Sequence, residues 1–171
     1  MNKKKSPIKG LESRQAAWEV IQAVGGGAFA DVALDRIFKL YSFDPVDKAL
    51  ITELSYGVIR YRYFLDCWID HVGKITAKKQ PPVLRWLLHL GLYQIFKMER
   101  IPPAAAINTT VELAKTHHLG KLAPVVNGIL RSALRKKKSG FKLPKLNNPS
   151  LELAKNESLP VWLADELIAW K

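Results

Sequence analysis

The sequence predicts an all-α fold, a compact helical bundle, on three observations. Apolar residues recur at three- and four-residue steps through most of the chain, which is the period of a helix with one buried face. No segment shows the apolar–polar alternation that is typical of half-buried strands. Proline, aspartate and glycine stand at positions where helices begin and end. The length of 171 residues gives room for one domain with appendages.

A basic tail opens the chain, and two short helices are predicted to follow it. Residues 1–11 are rich in lysine, and we expect them to be disordered. Ser13 is a candidate N-cap for the first helix. Three successive glycines at 25–27 end that helix, because glycine adopts the left-handed conformation that follows many helix C-termini. The second helix is predicted over residues 31–41.

The third predicted helix has the clearest start signal. Asp44 is placed to cap it and Pro45 to occupy its first position, where a missing N–H does no harm. Apolar residues then continue at helical spacing through residues 50–72. Because this run is longer than an average helix, we expect a break near Gly57 or Arg62.

Three more helices complete a predicted domain of residues 12–138. The prolines at 81–82 precede a segment that is apolar nearly all round, which is typical of a central, buried helix. The prolines at 102–103 begin the next helix, which Gly120 closes. The last helix of the domain begins near Ala123.

The C-terminal part is predicted to be a linker followed by one helix. Residues 139–158 contain two prolines, a glycine and paired asparagines, so we interpret them as a linker. Residues 159–171 carry a short amphipathic pattern and are predicted to form a helix.

The net charge of +12 is concentrated in one region. Residues 71–151 hold fifteen lysines and arginines but only two acidic residues, Glu99 and Glu112. From residue 113 to residue 151 there is no acidic residue. Such a region creates a field suited to phosphates, which favours a nucleic-acid partner. The alternatives are a basic surface that faces only solvent and a basic surface that binds acidic lipid.

The location of the protein is predicted from what the sequence lacks. No apolar run reaches the length of a membrane span, and the N-terminus has no apolar signal-peptide core. The single cysteine, Cys67, fits a reducing compartment. We therefore expect a cytoplasmic protein without a membrane partner.

No group of residues predicts catalysis. Cys67 lies in an apolar helix and is interpreted as a small buried hydrophobe. The four histidines lack metal-ligand spacing, so no metal site is predicted. Asp66 and Asp70 share a helix face, which suits either acid–base chemistry or a solvated face neutralised by Arg62. The glycines at 25–27 lack the pattern of a phosphate-binding loop. The sequence predicts no catalytic residue and no cofactor site in this chain.

Aromatic and basic residues alternate in RYRYF, residues 60–64. Tyrosine can stack on bases and arginine can bind phosphate, so this stretch is a candidate RNA contact. The alternative is that Tyr61 and Phe64 pack inward. For Arg60 and Arg62 the sequence leaves both interpretations open.

Three segments together resemble a known family. They are SRQAAWEVIQAV, DKALITELSYGVIRYRYFLD and PPAAAINTTVELAKTHHLGKLAPVVNGILRSALR. Their order and spacing resemble the NusB-like RNA-binding domain, most closely as it occurs at the N-terminus of the bacterial 16S rRNA cytosine-5 methyltransferases of the Sun/Fmu/RsmB family. TELSYGVIRYRYFLD, Arg131 after VNGIL, and SLPVWLADELIAW indicate that branch. The resemblance covers most of residues 12–170.

The resemblance implies an all-α fold of two small helical subdomains and an RNA partner, 16S rRNA. In that family a C-terminal methyltransferase domain uses S-adenosylmethionine and a pair of cysteines, and nothing in this chain matches that domain. The chain is therefore interpreted as a non-catalytic fragment of an rRNA methyltransferase. The helix in residues 159–171 resembles the start of the segment that joins the two domains, and S-adenosylmethionine is expected only in the missing domain.

Two departures from the NusB pattern affect base recognition. Thr109 stands where NusB proteins have an acidic residue, and Val125 stands where they commonly have phenylalanine. We therefore expect general phosphate binding by basic residues. The candidate RNA contacts are Lys3, Lys4, Lys5, Lys9, Arg14, Arg131, Arg135, Lys136, Lys137 and Lys138.

Two other functions stay open on sequence alone. The chain resembles a stand-alone transcription antitermination factor of the NusB type in the same segments. It also fits a structural module without RNA affinity, in which the apolar residues of the last helix contact a catalytic domain. Those residues are Trp162, Leu163, Leu167 and Trp170.

Overall fold

A computed structural model describes residues 9–170, and every regular element in this range is helical. The predicted all-α fold is therefore confirmed. Eight α-helices follow one another along the described chain: α1 (Leu11–Gly25), α2 (Ala30–Leu40), α3 (Pro45–Val72), α4 (Pro82–Lys97), α5 (Pro103–Thr116), α6 (Ala123–Lys138), α7 (Pro149–Glu157) and α8 (Val161–Ala169). Short 3-10 helices occupy Ala77–Lys79 and Gly120–Leu122.

Helix α1 begins three residues earlier than the predicted cap indicates. Gly10, with a φ of 78°, precedes its first residue, so the prediction of Ser13 as N-cap is wrong. Ser13 is buried inside the helix, and its hydroxyl donates to Asp47 Oδ1 over 2.6 Å. The hydroxyl therefore ties α1 to the first turn of α3 instead of capping its own helix.

Helix α3 starts as predicted but does not break. Asp44 Oδ1 accepts a hydrogen bond from the Asp47 N–H over 2.8 Å, and Pro45 occupies the first helical position. The predicted break near Gly57 or Arg62 is wrong, since α3 runs through 28 residues. Fully buried residues on both sides of Gly57 hold the helix against the core. A Cβ on Gly57 would overlap the ring of Tyr93 in α4, so this glycine permits a close approach of the two helices.

Helix α4 is the central helix, as its sequence predicts. Leu84 and the whole run from Trp86 to Ile95 are buried. Helices α1, α3, α5 and α6 all pack against it. Although α4 is the most continuously buried helix, no helix of the described residues has the length and apolar character that crossing a bilayer demands.

The core is continuous from Leu11 in α1 to Ala133 in α6. The two subdomains implied by the resemblance therefore share one hydrophobic core. Helix α6 contributes Val126, Ile129 and Leu130 to it, so the N-terminal half of α6 is fixed by apolar burial.

A partly buried ion pair joins α3 to α4. Asp66 accepts from Arg85 through both carboxylate oxygens, with Arg85 Nε 2.9 Å from Oδ1. His89 Nε2 also donates to Oδ1, over 2.7 Å. The partner of Asp66 is thus Arg85, not Arg62, whose guanidinium lies 4.8 Å from the Trp86 ring centre. The pairing with Arg85 gives the Asp66 carboxylate a structural role, which is to hold α3 against α4.

Protonation in this cluster is set by burial and by the shared hydrogen bonds. Burial lowers the pKa of His89, and its bond to Asp66 only partly opposes this. The imidazole is therefore neutral near pH 7, with its proton on Nε2 facing the carboxylate. Burial alone raises the pKa of Asp66, but the bonds from His89 and Arg85 outweigh it and the net pKa lies below the ordinary value.

The segment interpreted as a linker, residues 139–158, contains helix α7. Asn148 caps α7 through a 3.0 Å bond from the Leu151 N–H, and Pro149 takes its first position. The asparagine and proline that indicate a turn are thus also the start signal of a helix. Lys155 is buried and donates to Glu152 and to the Pro144 carbonyl, which fastens the extended stretch to α7. Helix α7 packs on α3, and α8 packs on α7.

The close approach at Gly57 is tested by adding one methyl group. We expect Gly57→Ala to lower the free energy of unfolding by about 1–3 kcal/mol, because Tyr93 is buried and its ring must move. In the control, Gly128→Ala in α6, the new Cβ meets no atom within 4 Å. That change should raise stability by about 0.5–1 kcal/mol through helix propensity. Urea denaturation measures both, and equal effects would contradict the packing.

The Asp66 cluster predicts loss of stability in acid. Both His89 and Asp66 have lowered pKa values in the folded state, so the unfolded chain binds protons that the folded chain does not. The free energy of unfolding should fall below about pH 6.5 through His89, and further below about pH 4 through Asp66. His89→Gln keeps a donor for Asp66 but does not titrate. The urea midpoint should fall less between pH 7 and pH 5 for the variant than for the natural chain. An equal fall in both proteins would refute the role of His89.

Candidate nucleic-acid interface

Five of the ten predicted RNA contacts lie on the C-terminal half of α6. Arg131, Arg135 and Lys138 are exposed and spaced four and three residues apart, so they share one helix face. Lys137 is also exposed and Lys136 is half-buried. Lys142 and Lys145 follow in the extended stretch and are exposed. These seven residues form what we call the basic edge: Arg131, Arg135, Lys136, Lys137, Lys138, Lys142 and Lys145.

The basic edge has no acidic counterpart in the described part of the chain. None of its residues forms an ion pair with any residue of the range 9–170. Arg131 Nε donates instead to Asn127 Oδ1, one turn earlier, over 2.9 Å. The helix dipole stabilises cations in the last turn of α6. It does not offset the mutual repulsion of Arg131 and Arg135 at four-residue spacing, which an anionic partner would relieve.

Two lysines of the basic edge also hold the end of α6 in place. Lys137 Nζ donates to the carbonyl of Ile95 in α4 over 2.5 Å. Lys136 Nζ lies 4.5 Å from the centre of the Phe141 ring. Gly140, with a φ of 73°, turns the chain back so that the Phe141 N–H bonds to the Lys136 carbonyl. The direction of the stretch after α6 is therefore fixed by local bonds.

Arg14 lies inside the molecule, unlike the exposed basic residues of α6. Its Nε donates to Gln94 Oε1 in α4 over 2.7 Å, and its Nη1 donates to the Gly10 carbonyl over 3.0 Å. Only 6% of the residue is exposed, and burial lowers the pKa of Arg14. The position that matches the family pattern thus carries a structural arginine that fastens the start of α1 to α4.

The basic residues of the N-terminus are only partly described. Lys9 is exposed, directly before Gly10. The predicted contacts Lys3, Lys4 and Lys5 lie outside the described residues. The start of α1 and the end of α6 nevertheless meet the same turn of α4, since Arg14 bonds to Gln94 and Lys137 to Ile95. The fold thus brings the start of α1 and the end of α6 to one end of the central helix.

Sequence reasoning missed a set of aromatic residues beside the basic edge. Phe64 and Trp68 of α3, Phe96 of α4 and Phe141 after α6 line a cavity of about 650 Å³. Lys97 lies on its border, with Nζ 4.6 Å from the Phe64 ring centre. Apart from Phe64 in RYRYF, the signal in the sequence is a lysine directly after a phenylalanine, at 96–97 and at 141–142, and the same pair at 38–39 does not line the cavity. That signal gives no hint that the two pairs are neighbours.

The other chemical candidates have structural explanations. Burial raises the pKa of the Cys67 thiol to about 11, which keeps it protonated at neutral pH and makes it a poor nucleophile. Asp70 Oδ1 accepts from the Ala77 N–H over 2.6 Å and caps a short 3-10 helix. In residues 9–170 no three histidine, cysteine or acidic side chains converge as metal ligands would.

The structural role of Arg14 is tested by removing its side chain. We expect Arg14→Ala to lower the free energy of unfolding by about 2 kcal/mol, because Gln94 Oε1 is buried and loses its charged donor. Arg131→Ala is the matched control, since Arg131 is exposed and its loss should change stability by less than about 0.5 kcal/mol. Thermal and urea unfolding measure both variants. Equal stabilities would mean that Arg14 does not tie α1 to α4.

Comparison with known proteins identifies one family and two groups of relatives, which are methyltransferases and NusB proteins. Residues 11–135 match the NusB family. A probable ribosomal RNA small subunit methyltransferase B of Synechocystis sp. is 37% identical over 156 residues, which cover 91% of this chain and 34% of that protein. A transcription antitermination protein NusB of Methylacidiphilum infernorum is 31% identical over 119 residues, 69% of this chain and 80% of that protein. The solved structure of T. maritima NusB matches with a TM-score of 0.66 and 20% identity, over 80% of this chain and 99% of that one.

The two groups of relatives differ in how much of them this chain represents. It spans about a third of the length of the methyltransferase B relatives it matches. It covers most of the NusB protein, and the likeness to T. maritima NusB extends the agreement to the fold. The family match includes α1 to the last turns of α6. The resemblance inferred from the sequence is confirmed, and the chain belongs to the NusB family.

Proposed function

We propose that this chain is an RNA-binding module that helps to position 16S rRNA for an S-adenosylmethionine-dependent cytosine-5 methyltransferase. The catalytic domain and its S-adenosylmethionine belong to a part of the protein that this chain does not include. The chain itself contributes neither catalytic residues nor a cofactor site, and it acts in the cytoplasm. Membership of the NusB family and the similarity to methyltransferase B relatives support the proposal.

The basic edge is the observation that carries RNA binding. Its residues lie on a helix end and an extended stretch whose positions are fixed by the core and by local hydrogen bonds. They include the exposed face of Arg131, Arg135 and Lys138, which has no carboxylate partner in the described residues. Closely spaced cations on a fixed backbone bind phosphates and release the counterions of RNA. Phosphate contacts of this kind set the position of the RNA without reading its sequence.

Positioning also needs contact with the catalytic domain, and α8 offers a surface for it. Trp162 is 67% exposed and Trp170 is 86% exposed, although both are large apolar side chains. Among the described helices, α8 packs closely on α7 alone. An apolar helix face of this kind is typical of a protein contact. This face also supports the second candidate, an interdomain module without RNA affinity of its own.

The third candidate is a transcription antitermination factor of the NusB type. The similarity to a NusB protein supports it, because this chain covers most of that protein's length. Sequence-specific binding to a single-stranded antiterminator element would distinguish this function. The methyltransferase role instead predicts comparable affinities for a small-subunit rRNA fragment and for its scrambled counterpart, because the contacts are to phosphates.

RNA binding is tested by removing three charges from one face of α6. We expect Arg131→Gln/Arg135→Gln/Lys138→Gln to weaken binding to an unpaired small-subunit rRNA fragment about tenfold or more at 0.1 M salt. The slope of log affinity against log salt should become shallower by about 2, since single strands contribute about 0.7 per neutralised phosphate. Fluorescence anisotropy across a salt series measures both quantities.

The control variant removes the same charge from another surface. Arg36→Gln/Lys39→Gln/Lys48→Gln changes three exposed residues of α2 and α3. It should leave affinity and slope near those of the natural chain. If both variants weaken binding equally, the basic edge is not the site. If the natural chain binds no RNA but binds a separately produced catalytic domain, the interdomain module is the better account.

A further inference from the structure

The cavity beside the basic edge has an apolar floor and a cationic border. We call it the aromatic groove, lined by Phe64, Trp68, Phe96 and Phe141 with Lys97, Lys137, Lys142 and Lys145. Its aromatic residues come from three separate parts of the chain: the middle of α3, the last turn of α4 and the stretch that follows α6. Helix α7 completes the border with Glu152, Lys155 and Asn156. It is continuous with the basic edge, because Lys137, Lys142 and Lys145 belong to both.

The floor is held rigidly by ring–ring contacts. Trp68 and Phe96 stack with their ring centres 4.3 Å apart, and Phe64 meets Phe96 edge-on at 5.8 Å. Phe141 stacks on His71 at 4.6 Å, which fixes the ring that closes the groove. Trp68 is almost fully buried, whereas the three phenylalanines remain half-buried. The phenylalanines therefore keep part of their surface exposed. Lys136 Nζ lies 4.5 Å from the centre of the Phe141 ring and Lys137 Nζ lies 5.8 Å from that of Phe96, so a base that stacks on these rings must move the two ammonium groups aside.

The border carries five lysines and one glutamate, and the glutamate is already paired. Lys155 Nζ donates to Glu152 over 2.6 Å, and this bond, with the Leu146 N–H, lowers the pKa of Glu152 to about 2. Lys142 and Lys145 are exposed and form no ion pair within residues 9–170. The net field over the aromatic floor is thus positive.

An aromatic floor beneath lysines selects one class of occupant. Unpaired nucleotides combine a flat π face with a negative phosphate, and proteins bind them by stacking on aromatic rings beside cationic side chains. An apolar peptide would gain nothing from the lysines, and a duplex keeps its bases out of reach of the rings. The volume of about 650 Å³ lies in the range of sites that hold small organic ligands.

We propose that the aromatic groove binds one unpaired nucleotide of the RNA, with its base against Phe96 and Phe141 and its flanking phosphates at Lys142 and Lys145. This inference rests on the proposed RNA-binding function and adds a nucleotide-binding groove beside the phosphate contacts of the basic edge. Stacking is insensitive to salt, unlike the phosphate contacts of the basic edge. The two contributions to affinity can therefore be separated.

The first test removes one ring while keeping its apolar volume. Phe141→Leu should weaken binding to a single-stranded oligonucleotide about 5- to 150-fold, leaving its salt slope unchanged. Binding to a duplex of the same composition should not change. Phe29→Leu is the control, because Phe29 is an exposed phenylalanine on the remote α2 end of the molecule. Thermal unfolding of each variant checks that the fold is retained.

The second test uses the natural chain, so it does not depend on a variant that folds. An oligonucleotide with 5-iodouridine is irradiated in complex with the protein, and the cross-linked peptide is identified by mass spectrometry. Cross-links at Phe96 or Phe141 support the groove, whereas cross-links only at other residues overturn it. If Phe141→Leu binds single strands normally while the three-charge variant of α6 does not, the groove is refuted and the proposed function stands. If the natural chain binds no RNA, the proposed function itself fails.

Discussion

The burial of α4 on all sides is the constraint on which the rest of the structure depends. A helix that is apolar nearly all round leaves no face for water, so its neighbours must enclose it completely. Helices α1, α3, α5 and α6 do so, and the shared core follows from that arrangement. Three polar side chains of α4 bond to neighbouring helices: Arg85 and His89 meet Asp66, and Gln94 meets Arg14. Each pair fixes the position of one neighbouring helix relative to the centre.

The same enclosure explains where the candidate RNA surface lies. The last turn of α4 reaches the edge of the bundle, and there Phe96 and Lys97 adjoin α3 and the end of α6. Helix α6 is anchored by its apolar N-terminal half, so its charged C-terminal half is held at this edge rather than moving freely. The bond from Lys137 to Ile95 and the left-handed Gly140 then direct the following stretch back across the aromatic residues. Charge and aromatic surface are adjacent because both depend on one helix end.

Local signals predicted much of this fold, and non-local contacts account for the differences. Asp44, Pro45 and the proline pairs mark helix starts through backbone chemistry that acts within a few residues, so those elements are confirmed. The continuity of α3 across Gly57 follows from buried residues on both sides of it, and the close approach of Tyr93 comes from 36 positions away, so no local pattern contains either. Arg14 was predicted to contact RNA because the sequence shows that this residue is charged but does not show that it is buried. The basic edge was visible as composition, whereas the aromatic groove was not, since its aromatic residues come from three distant segments.

The central claim is that RNA binds where the end of α6 meets the last turn of α4. Chemical-shift mapping tests it most directly: a ¹⁵N-labelled chain is titrated with a single-stranded fragment of small-subunit rRNA, and the perturbed amides are placed on the structure. The account predicts the largest changes in residues 131–145, with smaller ones near Phe64 and Phe96, and little change in α2. Changes concentrated in α2 and the start of α3, with residues 131–145 unaffected, would contradict it.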